Sequence, residues 1–178
     1  MKKILLIIDM QKGFMRNETT LSLAQKINAL LELDIFELVV ASQFKNTTHS
    51  MYEKLFSWTN LKETKEQELA INKDKIDFIE EKTIYNVIND SFMHKLCALN
   101  NGEYPKEIYL VGADTDCCVL VNAVSLFEKN VRPIVLSEYC FSNAGLESHL
   151  AGIKCLERLI GKKQIKNHLI KHKKDLLV

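Results

Sequence analysis

Apolar and polar positions fall in blocks along this chain. Residues 3–8 carry an almost unbroken apolar run, Ile4-Leu5-Leu6-Ile7-Ile8, which stops at Asp9. A short run without polar alternation predicts a strand covered on both faces. Residues 21–33 have the helical period, with Leu23, Ile27, Leu30 and Leu31 on one face. A second strand is predicted over 37–42, centred on Leu38-Val39-Val40-Ala41, and a weaker third over 77–81. Residues 87–99 predict a helix, with Phe92, Leu96 and Leu99 aligned. The fourth strand, 108–111, runs into a helix over 119–130. A fifth strand over 132–137 precedes a helix over 146–159, and Gly161 stands where a C-cap glycine would. A short sixth strand over 164–166 and a Lys-rich final helix complete the pattern.

Alternating strands and helices with continuous apolar strands predict an α/β fold, a parallel sheet with helices on both faces. Residues 43–76 are long for a crossover between neighbouring strands. They are expected to hold one or two helices, with Tyr52, Leu55, Phe56 and Trp58 packing inward and the segment walling a binding site. The 178 residues are expected to form a single domain, 1–178.

Composition narrows the partners. Hydrophobic residues make up 47% and charged residues 26%, ordinary for a globular protein. A formal net charge of +1 gives no global case for nucleic acid or an anionic membrane. The apolar run at 4–8 is too short for a signal-peptide core, so a cytoplasmic location is expected. Five cysteines, an odd count without a C-x-x-C pair, read as reduced thiols. For Cys97, Cys140 and Cys155 the expectation is a buried small hydrophobe.

Candidate chemistry sits where strands end. In an open parallel sheet, ligands bind beyond the carboxyl ends of the strands. Asp9 ends the first strand, Lys82 follows the third, and Cys117-Cys118 follow the fourth at the start of a helix. The first N–H groups of a helix lack internal partners and carry partial positive charge. They are expected to lower a cysteine pKa and to hold an oxyanion. A carboxylate beside the thiol can move its proton, and a lysine can hold the carboxylate in place.

At these residues the chain resembles the isochorismatase-like cysteine hydrolases, which include nicotinamidases and other amidohydrolases. Ile7-Ile8-Asp9-Met10-Gln11-Lys12-Gly13-Phe14 is similar to the family's D-x-Q-x-x-F strand end. Glu81-Lys82-Thr83-Ile84-Tyr85-Asn86 is similar to its lysine motif. Gly112-Ala113-Asp114-Thr115-Asp116-Cys117-Cys118-Val119 is similar to its G-x-x-T-x-x-C-V nucleophile loop. The resemblance covers nearly the whole chain. It implies a three-layer α/β/α fold with a six-stranded parallel sheet of order 3-2-1-4-5-6. It implies a catalytic triad of Asp9, Lys82 and Cys118, a cis peptide between Ala113 and Asp114, and an oxyanion hole from the backbone N–H groups of Asp114 and Cys118. The implied reaction is hydrolysis of a C–N bond in a small amide through a thioester. No cofactor is implied, and dimers or tetramers are common among relatives, so a homo-oligomer is expected.

Two departures shape that expectation. Metal-binding nicotinamidases carry D-x-H after the second strand and a further histidine, whereas this chain has Ser42-Gln43-Phe44-Lys45-Asn46. No metal is therefore expected, and nicotinamide becomes an alternative substrate rather than the first choice. The isochorismate-cleaving branch lacks the cysteine, so Cys118 argues against vinyl-ether hydrolysis. A catalytically silent binding protein of the same fold is the alternative outside enzymes, disfavoured by the intact triad.

Other residues have competing readings. Gln11, Phe14, Phe44 and Tyr85 are candidates for the substrate wall, Gln11 and Phe14 equally for the turn and core. Trp58 is as well read as core packing. His149 fits a capping role or a site role. His168 and His172 have zinc-like i, i+4 spacing, but the surrounding lysines read as a solvated basic face.

Overall fold

The computed structural model describes residues 2–177; the expected domain bounds, Met1 and Val178, lie outside the described residues. Its centre is β1 (Ile4–Ile8), where all five side chains are buried because the strand is covered on both faces. Ile4, Leu6 and Ile8 enter one apolar cluster with side chains of α4 (Asp90–Leu99), α5 (Leu120–Glu128) and α6 (Leu146–Leu156). Leu5 and Ile7 enter the other with Leu23, Ile27 and Leu30 of α1 (Glu18–Leu31). Two clusters separated by one sheet make the three-layer arrangement.

The sheet is six-stranded and parallel, in order β3-β2-β1-β4-β5-β6, as the resemblance implied. Here β2 is Leu38–Phe44, β3 is Phe78–Lys82, β4 is Glu107–Ala113, β5 is Arg132–Phe141 and β6 is Ile165–Lys166. Chain order runs outward through β2 and β3, then returns to place β4 on the other side of β1. That reversal opens a crevice at the carboxyl ends of β1 and β4.

Several boundaries shift for local reasons. Helix α1 starts ahead of the apolar pattern because Asn17 caps it: Asn17 Oδ1 accepts from Thr20 N, and Thr20 Oγ1 accepts from Asn17 N. Asn89 caps α4 by its side chain alone, Oδ1 accepting from Phe92 N, which leaves Val87 and Ile88 buried ahead of the helix. Leu99 at its end is exposed rather than aligned with Phe92 and Leu96 in the core. In β5 the pairing passes from Leu110–Val135 to Gly112–Cys140, so the strand bulges and runs to Phe141.

The expected Lys-rich final helix is absent among the described residues. A 3₁₀ turn, Lys173–Leu177, stands in its place. Tertiary bonds compete for its backbone: Tyr139 Oη accepts from Ile170 N and donates to Ile170 O, and Asp175 accepts from Lys171 N and His172 N. His168 meets the Asp175 carbonyl, so the two histidines do not share a helix face. The segment 43–76 does hold helices, α2 (Met51–Phe56) and α3 (Thr64–Gln67). Leu55 and Phe56 point outward, however, being 67% and 64% exposed, while Tyr52 and Trp58 are half-buried. Cys155 is likewise exposed and Cys97 half-buried, against expectation, while Cys140 is buried. Among the described residues no helix is long and apolar enough to cross a membrane.

Gly112 shows how closely β4 follows β1. Its φ is 119°, and a Cβ there would lie 2.2 Å from the Ile8 carbonyl oxygen. Neither backbone can yield without breaking the ladder. Gly112→Ala is expected to cost about 3 kcal/mol through strain and overlap. A thermal melt should register a fall of roughly 6–12 °C in Tm; an unchanged melt contradicts this packing.

Candidate active site

The three strand-end residues meet. Asp9, fully buried with φ of 50°, turns its carboxylate back toward the crevice. The Ser42 hydroxyl of β2 donates to Asp9 Oδ1 at 2.7 Å and accepts from Asp9 N at 3.2 Å. Asp9 Oδ2 lies 2.6 Å from Lys82 Nζ. Lys82 Nζ also donates to the Tyr85 carbonyl at 2.8 Å and stands 3.5 Å from Cys118 Sγ. Its side chain reaches across the end of β2, passing 5.7 Å from the centre of the Phe44 ring.

Cys118 sits in a π-helical turn, Thr115–Val119, that follows β4 and leads into α5. The Ala113–Asp114 peptide ahead of it is cis. Cys117 N and Val119 N both donate to the Asp114 carbonyl, closing the turn. Asn122 fixes it from behind: Nδ2 donates to the Cys118 and Tyr85 carbonyls, while Oδ1 accepts from Val87 N. One buried amide thus ties the turn of Cys118 to the loop after β3. Thr115 Oγ1 is hydrogen-bonded to His149 Nδ1 at 2.8 Å, which gives His149 a bracing place on α6. Gly152 of α6 lets the turn approach, since a Cβ there would lie 2.8 Å from Asp116 Cα.

The electrostatics correct one expectation. Burial pushes the Cys118 thiol well above its ordinary pKa, the Asp9 charge pushes it further, and Lys82 only partly opposes them. A helix start was expected to lower that pKa, but desolvation of a buried thiolate is the larger effect. Cys118 is therefore a thiol at rest, next to a carboxylate. Burial alone disfavours the Lys82 ammonium, yet Asp9 and Cys118 hold its pKa above the usual value. Cys117 is pushed up to about 11 by burial and then by Asp116 and Asp114.

A cavity of about 310 Å³ opens onto Cys118. Phe14, Phe44, Tyr52, Phe56, Trp58 and Tyr85 make its aromatic wall. Tyr52 stands edge-on to Phe44, Trp58 and Tyr85, so α2 of the 43–76 segment carries the hub of that wall. Asp114, Cys117 and Asn143 border it near the thiol, and Arg16 lies on the solvent side. Gln11 is elsewhere. Its Oε1 accepts from Phe44 N and its Nε2 donates to the Phe44 and Gln67 carbonyls, so it latches the wall from behind.

Ser42, Asn122, Arg16 and Asn143 were not singled out by sequence reasoning. Asn143 lies just beyond β5 and Ser42 ends the strand predicted over 37–42, so the strand-end rule extended to those strands finds both; Asn122 carries no local signal.

The end of β2 and the residues just after it do not fit a metal. Phe44 is buried in the wall, Gln43 Nε2 donates to the Gln67 carbonyl, and Asn46 Nδ2 to the Trp58 and Asn60 carbonyls. Lys45 is paired with Glu81. Among the described residues no three His, Cys, Asp or Glu side chains gather as a cation cage.

Known structures share this architecture. The nicotinamidase of Bacillus subtilis superposes with a TM-score of 0.73 at 21% identity, over 94% of this chain and 100% of that one. An isochorismatase-like hydrolase from Alkaliphilus metalliredigens gives 0.75 at 16%, over 99% and 98%. A pyrazinamidase of Pyrococcus horikoshii, solved in complex with zinc, gives 0.74 at 17%, over 94% and 99%. At such identities the likeness is one of fold. No curated protein sequence matches the chain significantly. The family model described as the isochorismatase domain matches residues 3–164, so the chain belongs to the isochorismatase family.

Proposed function

We propose that this protein is a cysteine hydrolase that cleaves the C–N bond of a small amide through a thioester on Cys118. The observation that carries the reading is the double contact of Lys82 Nζ, 2.6 Å from Asp9 Oδ2 and 3.5 Å from Cys118 Sγ, at the floor of an aromatic cavity.

The chemistry follows from the arrangement. A thiol held protonated by burial needs a base at the moment of attack. Asp9 takes the Sγ proton as Sγ bonds to the amide carbon. The carbonyl oxygen gains charge and is met by the N–H groups of Asp114 and Cys118. Asp9 returns the proton to the leaving nitrogen, the C–N bond breaks, and an amine or ammonia departs. Asp9 then takes a proton from water, whose oxygen displaces Sγ, and the thiol is restored with release of the acid. Lys82, 2.6 Å from Asp9 Oδ2, keeps Asp9 aimed between these transfers.

A screen of small amides for ammonia release tests this, with nicotinamide included because several solved neighbours bear that name. Turnover is expected to persist in a chelator, since the segment after β2 supplies no ligand set. Stoichiometric metal by elemental analysis, together with activity lost to the chelator, contradicts that expectation. Amides that bind without any release of ammonia favour the silent binding protein.

A further inference from the structure

The two ends of the cavity differ in charge. Near Cys118 lies Asp114, which accepts from both N and Nδ2 of Asn143 through one oxygen. At the solvent side lies Arg16, two residues after the wall residue Phe14 and exposed. Its Nε donates to the Gly13 carbonyl at 3.3 Å, and its Cζ lies 6.0 Å from the centre of the Trp58 ring. Among the described residues no acidic side chain pairs with it.

A guanidinium tethered through Nε to its own loop, with an aromatic ring as neighbour, keeps both terminal nitrogens for a planar acceptor. That is the geometry in which arginine grips a carboxylate at two points. An exposed guanidinium beside a half-buried ring contributes little to folding, so stability alone does not account for its place on the cavity.

We infer that Arg16 recognises an acid group on the substrate, which is a planar carboxamide bearing a carboxylate remote from the scissile bond. This rests on the reading of Cys118 as the point where the amide carbonyl is delivered. The aromatic wall takes the flat body of the molecule. Asp114 repels an anion from the inner end, where the Asp9–Lys82 pair adds no net charge, so the charged group faces Arg16 and the amide faces the thiol. Hydrolysis then creates a second carboxylate near Asp114, where like charge favours its release.

Binding and turnover are separable in the test. The Cys118→Ala protein, which cannot form the thioester, is titrated calorimetrically with 4-carbamoylbenzoate and with 4-nitrobenzamide. The nitro compound has nearly the same outline and no net charge. The carboxylate is expected to bind about tenfold more tightly, a modest factor because Arg16 is open to solvent. Adding Arg16→Ala should erase the preference and leave the nitro compound's Kd unchanged; Arg16→Lys should restore part of it. Raising the salt should weaken the anion alone. Equal affinities, a preference that survives Arg16→Ala, or binding of neither compound overturns the inference. The enzyme with Cys118 intact is assayed beside it for ammonia release. Binding governed by Arg16 without turnover of any amide sinks the hydrolase reading and leaves the role of Arg16 standing. Hydrolysis of neutral amides with no charge preference does the reverse.

Discussion

Asp9→Asn is expected to lower turnover by about 10²–10⁴-fold, the usual worth of a positioned general base. The replacement keeps nearly the same outline. Ser42 can still donate to the remaining oxygen as it does to Oδ1, so the fold should hold. Lys82 loses its charged partner at 2.6 Å. A second readout separates proton transfer from simple damage. Asp9 is among the causes that raise the Cys118 pKa, while Lys82 opposes them. Taking away the Asp9 charge therefore enlarges the thiolate fraction at pH 8, and taking away Lys82 shrinks it. Labelling of Cys118 by iodoacetamide, followed by peptide mapping, should run several-fold faster in Asp9→Asn and slower in Lys82→Met, although both lose turnover. In the wild type, labelling should climb through the alkaline range and at pH 7 lag behind the exposed Cys155. A folded Asp9→Asn protein that turns over an accepted amide at the wild-type rate removes Asp9 from the mechanism.

Much of the architecture is legible because parallel strands are self-announcing. Ile4 to Ile8 and Leu38 to Ala41 are apolar without interruption, and such runs cannot rest against water on either face. The meeting of Asp9, Lys82 and Cys118 is legible because a strand order that reverses brings strand ends together however far apart they stand in sequence. Burial is less legible. The charge state of Cys118 follows from its desolvation, which outweighs the start of a helix only once the tertiary environment is known. The C-terminal segment has helical composition, yet Tyr139 and Asp175 claim its backbone from a distance. Gln11 fits a pocket motif, yet both ends of its amide are taken by the main chain of Phe44. Asn122 ties the Cys118 carbonyl, four positions back, to Tyr85 and Val87, 37 and 35 positions away, and no local pattern marks it.

The measurement that bears most directly on the central claim compares ammonia release from one accepted amide by the wild type, Cys118→Ala and Cys117→Ala, each confirmed as folded. The two thiols are adjacent in sequence, and both line the cavity. Only Cys118 stands 3.5 Å from Lys82 Nζ among the described hydrogen-bond partners of that lysine. Without a nucleophile there is no thioester, and the covalent route closes. Cys118→Ala should fall to the background of the uncatalysed reaction, a loss of at least about 10⁴-fold if this site resembles other nucleophile–base pairs. Cys117→Ala should stay within a fewfold of the wild type. Acid-quenched wild-type enzyme should carry the acyl group on the peptide containing Cys118 wherever deacylation is the slower step. Wild-type turnover by Cys118→Ala, or its loss in Cys117→Ala alone, would contradict the account.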